Sequence, residues 1–215
     1  MLNKLNPDCP MCGEKASLFH EDKSRLYNLC ANCDLVFVPP AYHLSTEGEK
    51  KRYLTHNNDP HDPGYIKFLS PVAELVILKH PAHSKGLDFG CGTGSPLPGM
   101  LEANGMRMNI FDPFFAPHFE VFDQKYDFIT CTEVMEHLRN PFAETARLLQ
   151  MLNPGGSLHV KTELRTPERD FTKWHYIRDM THISFFSKKT MNWMADKLKV
   201  AVHFPADKII VFRPE

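Results

Sequence analysis

The chain has 215 residues, of which 42% are hydrophobic, and its formal net charge is -1. This length suits one α/β domain with a sizeable core plus a small module, and it excludes two full-sized domains. A charge so close to zero gives no general attraction to nucleic acid. No apolar run reaches the roughly twenty residues of a membrane helix, and the N-terminus lacks the apolar stretch of a signal peptide. We therefore expect a cytoplasmic protein with no membrane partner, for which a nucleic acid partner is possible but not favoured.

Four of the six cysteines form two CxxC pairs near the N-terminus. Cys9 and Cys12 make the first pair, and Cys30 and Cys33 make the second. In a reducing compartment this spacing is typical of a structural zinc site, because four thiolates close a tetrahedron around Zn²⁺. We predict a zinc-ribbon module over residues 1–40, which gains its folding free energy from the metal. The alternative is four unliganded cysteines, and the module could either grip a macromolecule or cover a substrate cleft.

Residues 41–84 form a connector between this module and the rest of the chain. A charged run, a turn rich in proline and aspartate, and an amphipathic run predict that the connector is largely helical. Several of its side chains could close over a ligand bound by the following domain, or could lie in surface turns. They are Tyr53, His56, Asn57, Asp62 and Tyr65.

Strand and helix signals alternate over residues 85–215, which predicts an α/β fold with a doubly wound, mostly parallel sheet. The predicted strands are 86–91, 106–112, 126–132, the alternating residues 158–164, 200–204 and 208–212. Helices are expected after Ser95, at Asn140 and after Ser187, because these residues are good N-caps. A turn at residues 153–156 closes the helix that Asn140 opens, and the last two strands suggest an antiparallel edge.

A glycine-rich turn joins the first predicted strand of this domain to its helix. Gly90, Gly92 and Gly94 let the backbone turn sharply and approach a ligand at the carboxyl edge of the sheet. Asp112 ends the next strand, where its carboxylate can accept hydrogen bonds from a ribose diol. The carboxylate of Asp88 would repel a pyrophosphate but suits the ammonium and sulfonium groups of S-adenosylmethionine. A purely structural turn explains the glycines alone, whereas the two acids together with them favour S-adenosylmethionine over a dinucleotide.

Four segments in this order resemble the motifs of class I S-adenosylmethionine-dependent methyltransferases, namely 87–94, 111–113, 126–138 and 152–156. The resemblance covers roughly residues 65–215 and is best to the branch of the ubiquinone-biosynthesis O-methyltransferases. It implies a methyltransferase domain over residues 85–215 that binds S-adenosylmethionine. The cofactor-binding residues that it implies are Asp88, Gly90, Cys91, Gly92, Asp112, Pro113, Thr132 and Glu133.

The chain departs from the family between the second and third predicted strands. Residues 113–125 are too few for the helix and strand that the family places there. Four aromatic residues in or beside this segment could wall the adenine or could simply fill core space. They are Phe114, Phe115, Phe119 and Phe122.

Two segments carry candidates for the chemistry, since methyl transfer needs alignment and sometimes a base. Glu133, Glu136 and His137 have the spacing of one helical face, which could hold a divalent cation or could cap the helix and pack against the cofactor. After the strand at 158–164, His182 or His175 could accept a proton, with Tyr176 and Asp179 as orienting partners. A histidine that only packs the loop against the sheet is the alternative for His182.

These patterns predict an enzyme that transfers a methyl group to oxygen or carbon of a small-molecule metabolite, such as a quinol, a sugar or a polyketide-like compound. One alternative is an RNA or protein methyltransferase that uses the cysteine module to grip its substrate. Another is an inactive partner protein that retains the fold.

Overall fold

The computed structural model describes residues 6–55 and 58–214. The expected contribution of His56 and Asn57 to a cover over the ligand lies outside these residues. The strands are β1 (Ser17–Glu21), β2 (Leu26–Leu29), β3 (Val36–Phe37), β4 (Lys85–Phe89), β5 (Arg107–Phe111), β6 (Tyr126–Thr132), β7 (Leu152–Lys161), β8 (Ser184–Phe185), β9 (Val200–Ala206) and β10 (Ile209–Pro214). The helices are α1 (Thr46–Tyr53), α2 (Pro63–Lys79), α3 (Leu97–Glu102), α4 (Pro141–Gln150) and α5 (Lys188–Leu198).

A six-stranded sheet in the order β5-β4-β6-β7-β10-β9 forms the centre of the molecule. The first four strands are parallel, whereas β10 pairs antiparallel with both β7 and β9. Helices α2 and α3 share an apolar cluster with Phe128 and Val211, and α4 and α5 share another with Ile129 and Phe212. Since neighbouring strand residues point to opposite faces, helices cover both faces of the sheet. The predicted doubly wound α/β fold and its antiparallel edge are confirmed.

The predicted helix starts depend on local capping. Asn140 accepts a hydrogen bond from the Ala143 amide at 3.1 Å and begins α4. Ser187 and Thr190 form a reciprocal capping box at the start of α5. The prediction for residues 153–156 was wrong in one respect, because they belong to β7, which begins at Leu152 directly after α4. Only Met151 lies between the end of α4 and the start of β7, so the chain has no separate turn at residues 153–156.

The shortened segment after β5 folds as predicted, without a helix and strand of ordinary length. It contains a 3₁₀ turn at Phe119–Asp123 and leads straight into β6. Within the described ranges, β5 therefore remains the edge of the central sheet. The aromatic side chains of this segment are left beside the carboxyl end of β5 instead of being covered by another helix.

The N-terminal residues form a second, antiparallel sheet in the order β1-β2-β3-β8. Its last strand, β8, comes from the C-terminal half of the chain and pairs with β3, with Val36 opposite Phe185. Asp34 adds an ion pair to Arg165 at 2.6 Å and accepts a hydrogen bond from the Ser187 hydroxyl at 2.6 Å. The cysteine module is thus joined by backbone and charge to the segment that precedes α5. None of the helices in the described part of the chain has both the length and the apolar character needed to cross a membrane.

Candidate active site

The glycine turn lies at the carboxyl end of β4 and requires two of its glycines. Gly90 has φ +79°, and a Cβ there would lie 2.3 Å from Cγ2 of Val134. Gly92 has φ +60°, again in the left-handed region that favours glycine. The turn therefore passes close under the residues that follow β6, and larger side chains would push it away from them.

Asp112 fixes the conformation of this turn and of the segment after β5. One carboxylate oxygen accepts a hydrogen bond from the Gly92 amide at 3.0 Å. The other accepts from the amides of Phe114 and Phe115 at 2.8 and 3.1 Å. The carboxylate that is expected to meet a ribose thus also holds together the two loops that would surround it.

Asp88 lies inside the sheet, beneath the glycine turn. Its side chain is 1% exposed, and the Thr130 hydroxyl donates to Oδ1 at 2.6 Å. Burial raises the pKa of Asp88 to about 6, although hydrogen bonds from Thr130 and Ser95 oppose the shift. This carboxylate can act on a ligand through its field and by positioning the turn.

A cavity of about 590 Å³ opens at the carboxyl ends of β4, β5 and β6. The last residue of each of these strands lines it, namely Phe89, Phe111 and Thr132. Ligands of open α/β sheets bind at this edge. The cofactor-binding candidates among its lining residues are Gly90, Cys91, Gly92, Asp112, Pro113, Thr132 and Glu133, and Asp88 lies just below them.

Aromatic rings form one side of this cavity. Phe114, Phe115, Phe119 and Phe122 all line it, together with Phe111 of β5. The rings of Phe111 and Phe122 meet edge to face with centroids 4.7 Å apart. The sequence suggested either an adenine wall or core filling for these residues, and their position at the cavity surface is suited to stacking on a flat heterocycle.

Carboxylates outnumber cations around the same cavity. Glu49, Asp112, Glu133 and Glu144 line it, but Glu49 is paired with Arg139 and Glu144 with Arg147. The raised pKa of Glu133 keeps that acid protonated near neutral pH, so the negative charge comes mainly from Asp112, with Asp88 below it. A pyrophosphate would meet repulsion here. A ligand that carries ammonium or sulfonium charge would be attracted.

The expected helical face of Glu133, Glu136 and His137 is instead a single 3₁₀ turn at Met135–His137. Glu133 precedes this turn with φ +53°, outside any helix. Glu136 is fully buried and accepts hydrogen bonds from Tyr176 and from the Thr162 hydroxyl. The strained backbone at Glu133 turns its side chain toward the cavity while Glu136 points into the protein.

Glu133 and Glu136 form a coupled acidic pair at the base of the cavity. Burial, followed by the charge of Glu136, raises the pKa of Glu133 to about 9. The Tyr176 hydroxyl lies 3.3 Å from Glu133 Oε2, but Oε1 is buried without a hydrogen-bond partner among the described residues. An unpartnered acid oxygen in a cavity wall is suited to a ligand that brings a donor or a positive charge.

Two histidines face each other beside this acidic pair. The His137 and His182 rings lie 4.8 Å apart between centroids, and both residues line the cavity. Nδ1 of His137 is 3.0 Å from the Thr181 carbonyl, and Nδ1 of His182 is 2.8 Å from the Tyr176 carbonyl. Because a carbonyl oxygen only accepts, each imidazole carries a hydrogen on Nδ1. Burial chiefly lowers the pKa of His182 to about 3, so it is neutral at physiological pH.

The other two candidates for catalysis lie outside the cavity lining. The His175 side chain is 68% exposed and lies 3.5 Å from the carboxylate of Glu163. Tyr176 is buried behind the cavity, where its hydroxyl bonds to Glu136. Ligand-capable atoms of Glu136, His137 and His182 lie within 4.8 Å of one another, so His182 takes the place of Glu133 in the set that the sequence suggested for a divalent cation.

Sequence inspection missed Arg25, which comes from the cysteine module. Its guanidinium is 1% exposed and donates to four carbonyl oxygens of the segment from Ile177 to His182, at 2.8 to 3.1 Å. Its Nε donates to the Tyr27 hydroxyl at 2.9 Å. Nothing in the polar hairpin sequence around residue 25 signals this role, because the partners are distant in sequence.

The four cysteines of the module converge as predicted. Their sulfur atoms lie within 4.8 Å of one another, with Cys9 and Cys33 at 3.5 Å and Cys12 and Cys30 at 3.4 Å. Thiolates on one Zn²⁺ are about 3.8 Å apart, since each Zn–S bond is about 2.3 Å. The arrangement is compatible with a single tetrahedral ion.

The chain resembles known methyltransferases in sequence and in fold. A family profile described as a methyltransferase domain matches residues 63–200. The chain therefore belongs to the methyltransferase family that this profile defines. The ubiquinone biosynthesis O-methyltransferase of Saccharophagus degradans is 26% identical over an alignment of 149 residues, and the match covers 57% of this chain and 57% of that one. The chain thus spans little more than half the length of this curated relative.

Solved structures show the same fold at low sequence identity. An O-methyltransferase family protein from Burkholderia thailandensis superposes with a TM-score of 0.56 and 11% identity, over 76% of this chain and 61% of that one. The N-methyltransferase NodS from Bradyrhizobium japonicum, solved with S-adenosyl-L-homocysteine, gives a TM-score of 0.50 and 16% identity over 78% and 97% of the two chains. These likenesses establish the architecture of the chain.

Proposed function

We propose that the protein transfers a methyl group from S-adenosylmethionine to oxygen or carbon of a small-molecule acceptor. The observation that carries this proposal is the cavity of about 590 Å³ at the carboxyl edge of the sheet, which combines a glycine turn, an aromatic wall and the carboxylates of Asp112 and, just below, Asp88. A nucleoside that bears positive charge matches that combination. A dinucleotide matches it poorly because its pyrophosphate would face acids.

Each part of the cofactor has a set of residues suited to it. We infer that Gly90, Gly92 and Glu133 hold the methionine portion, with Asp88 below. The Asp112 carboxylate would accept hydrogen bonds from the ribose hydroxyls. The phenylalanine side chains that line the cavity would contact the adenine. Cys91, Pro113 and Thr132 complete the lining. The bound cofactor would supply a methyl group already activated by its sulfonium.

The histidine pair is suited to handling the proton of the acceptor. The Thr181 carbonyl fixes the imidazole of His137, and we infer that this residue accepts the proton of an acceptor hydroxyl or carbon acid. His182 has its pKa lowered to about 3 and therefore suits an orienting hydrogen bond better than proton uptake. The buried hydroxyl of Tyr176 would position the side chains of Glu133 and Glu136. We infer a smaller role for His175 in this chemistry, because its side chain is exposed and does not line the cavity.

We further infer that Cys9, Cys12, Cys30 and Cys33 bind one structural Zn²⁺. Four sulfurs leave no open position for water, so the ion would stabilise the module and take no part in methyl transfer. The module would then present Arg25 and β3 to the segment that carries His182.

Methyl transfer is tested by incubating metal-replete protein with S-adenosylmethionine labelled in its methyl group and a cell extract divided into metabolites, RNA and protein. The proposal requires that label appears in the metabolite fraction. The rate of label transfer into that fraction should be at least tenfold lower for His137→Asn. His203→Asn serves as the matched control, because His203 is exposed on β9. Label confined to RNA or protein would favour the macromolecular alternative, and no label in any fraction would favour an inactive partner protein.

A further inference from the structure

A second cavity, of about 390 Å³, lies next to the first one. Leu138 lines both cavities, and the neighbouring residues divide between them, with His137 and His182 in the first and Arg139 and Ile183 in the second. Leu138 therefore lies at the boundary between the two spaces. The lining of the second cavity thus includes the residues that directly follow His137 and His182 in the sequence.

The second cavity is built jointly by the cysteine module and the catalytic part of the chain. Pro10, Phe37 and Val38 come from the module, and Leu138 and Ile183 come from the loops after β6 and before β8. An engineered cavity of roughly 150 Å³ holds one benzene molecule. The space is thus large enough for an apolar body of one or two rings.

Among the described residues that line this cavity, Arg139 carries a guanidinium that a ligand anion could bind only in competition with Glu49. Arg139 contributes a guanidinium whose Nη2 lies 2.9 Å from Oε1 of Glu49, a residue that lines the first cavity. Asp8 is already paired with Lys15 at 2.6 Å. His43 bonds to the Val38 carbonyl at 2.8 Å, and burial chiefly lowers its pKa, so it is neutral at physiological pH.

We propose that the second cavity binds the methyl acceptor, and that this acceptor has an apolar body and an oxyanion, either carboxylate or phosphate, which replaces Glu49 on Arg139. This inference rests on the proposed function and names the substrate class of the same site. The apolar body lies among Phe37, Val38 and Ile183, and the acceptor atom reaches past Leu138 toward His137. The planar fork of arginine matches both oxyanions with two parallel hydrogen bonds.

The Arg139–Glu49 pair makes the proposal testable through two variants of opposite effect. Removing the Arg139 guanidinium eliminates the group that binds the ligand's oxyanion. Neutralising Glu49 removes the carboxylate that competes with the ligand for this guanidinium. A residue that only stabilised the fold would weaken binding in both variants. Arg107→Gln is the matched control, because Arg107 is exposed on β5 at the opposite end of that strand from the cavity.

The probes are 3-phenylpropionate, phenyl phosphate and the neutral 3-phenylpropionamide, titrated calorimetrically into metal-replete protein saturated with S-adenosylhomocysteine. At least one anion is expected to bind tenfold more tightly than the amide, and the tighter anion identifies the oxyanion. Arg139→Gln should remove that preference, Glu49→Gln should increase it severalfold, and Arg107→Gln should leave it unchanged. Equal binding of the amide, no dependence on Arg139, or no binding of any probe at millimolar concentration would overturn the proposal.

Failure of this proposal is separable from failure of the proposed function. Binding of S-adenosylhomocysteine to the same protein samples reports on the first cavity alone. Normal cofactor binding without an anion preference would refute only the acceptor assignment. Loss of cofactor binding in the unmodified protein would refute the proposed function itself.

Discussion

Arg25 Nη1 donates a hydrogen bond of 2.9 Å to the carbonyl oxygen of His182, across 157 residues of sequence. The same guanidinium holds the carbonyls of Ile177, Asp179 and Met180, so that each of its N–H donors has a partner when Tyr27 is included. The cysteine module therefore sets the backbone that carries His182, and through Thr181 it also supports His137.

Arg25→Gln should separate acceptor chemistry from cofactor binding. A glutamine amide can donate to at most two of the four carbonyls, and each buried carbonyl left without a donor costs about 1–3 kcal/mol, so we expect the melting temperature to fall by roughly 4–24 °C. The concentration of active sites is measured by titration with S-adenosylhomocysteine, and the rate of methyl transfer per active site should fall at least tenfold. The Kd for S-adenosylhomocysteine should change less than threefold. Arg107→Gln provides the control, and a parallel loss of cofactor affinity would show that Arg25 only stabilises the whole fold.

Cofactor binding should release a proton from Glu133. With its pKa raised to about 9, this carboxyl is neutral at pH 7.5, and a cationic ligand beside it would lower that pKa. Affinity for S-adenosylmethionine should therefore rise as the pH increases from 7 toward 9. Calorimetry at pH 7.5 in phosphate and in Tris measures the released proton as a difference in enthalpy. Glu133→Gln should abolish the difference, and buffer-independent enthalpies of the unmodified protein would refute the linkage.

The cysteine cluster should hold one zinc ion per chain. Cys9→Ser and Cys30→Ser each remove a ligand, so the zinc content measured by atomic emission should fall from about one to near zero, with a lower melting temperature. Cys131→Ala is the control, because Cys131 is buried in β6 away from the cluster. Equal zinc content in all three variants would exclude these ligands.

Phe119 should contribute to adenine binding by stacking. The residue is 62% exposed although it lines the cavity, so it adds little to the core. Phe119→Ala should weaken S-adenosylhomocysteine binding by about 1–2 kcal/mol, a factor of roughly 5 to 30. Leu78→Ala, at an even more exposed apolar position on α2, should have no effect. Unchanged affinity in Phe119→Ala would place the adenine elsewhere.

The sequence was sufficient to predict the central sheet and the glycine turn because both depend on local signals. Continuous apolar residues specify β6, Asn140 and Ser187 specify helix starts, and the position of Asp112 follows from the end of β5. The shortened segment before β6 could also be predicted, since its length alone leaves no room for a helix and a strand.

Non-local contacts were beyond sequence analysis. The two-residue strand β8 has no pattern of its own and exists because it pairs with β3 of the module. Arg25 looks like any exposed charge in a hairpin until its carbonyl partners are known. The spacing from Glu133 to Glu136 suggested a helix, but the positive φ of Glu133 directs one acid into the cavity and the other into the core.

The most direct test of the account is a calorimetric titration of metal-replete protein with S-adenosylhomocysteine and, separately, with NADH. An acidic cavity with an aromatic wall predicts one-to-one binding of S-adenosylhomocysteine and no measurable binding of NADH. Tight NADH binding, with no heat from S-adenosylhomocysteine, would contradict the assignment of this cavity.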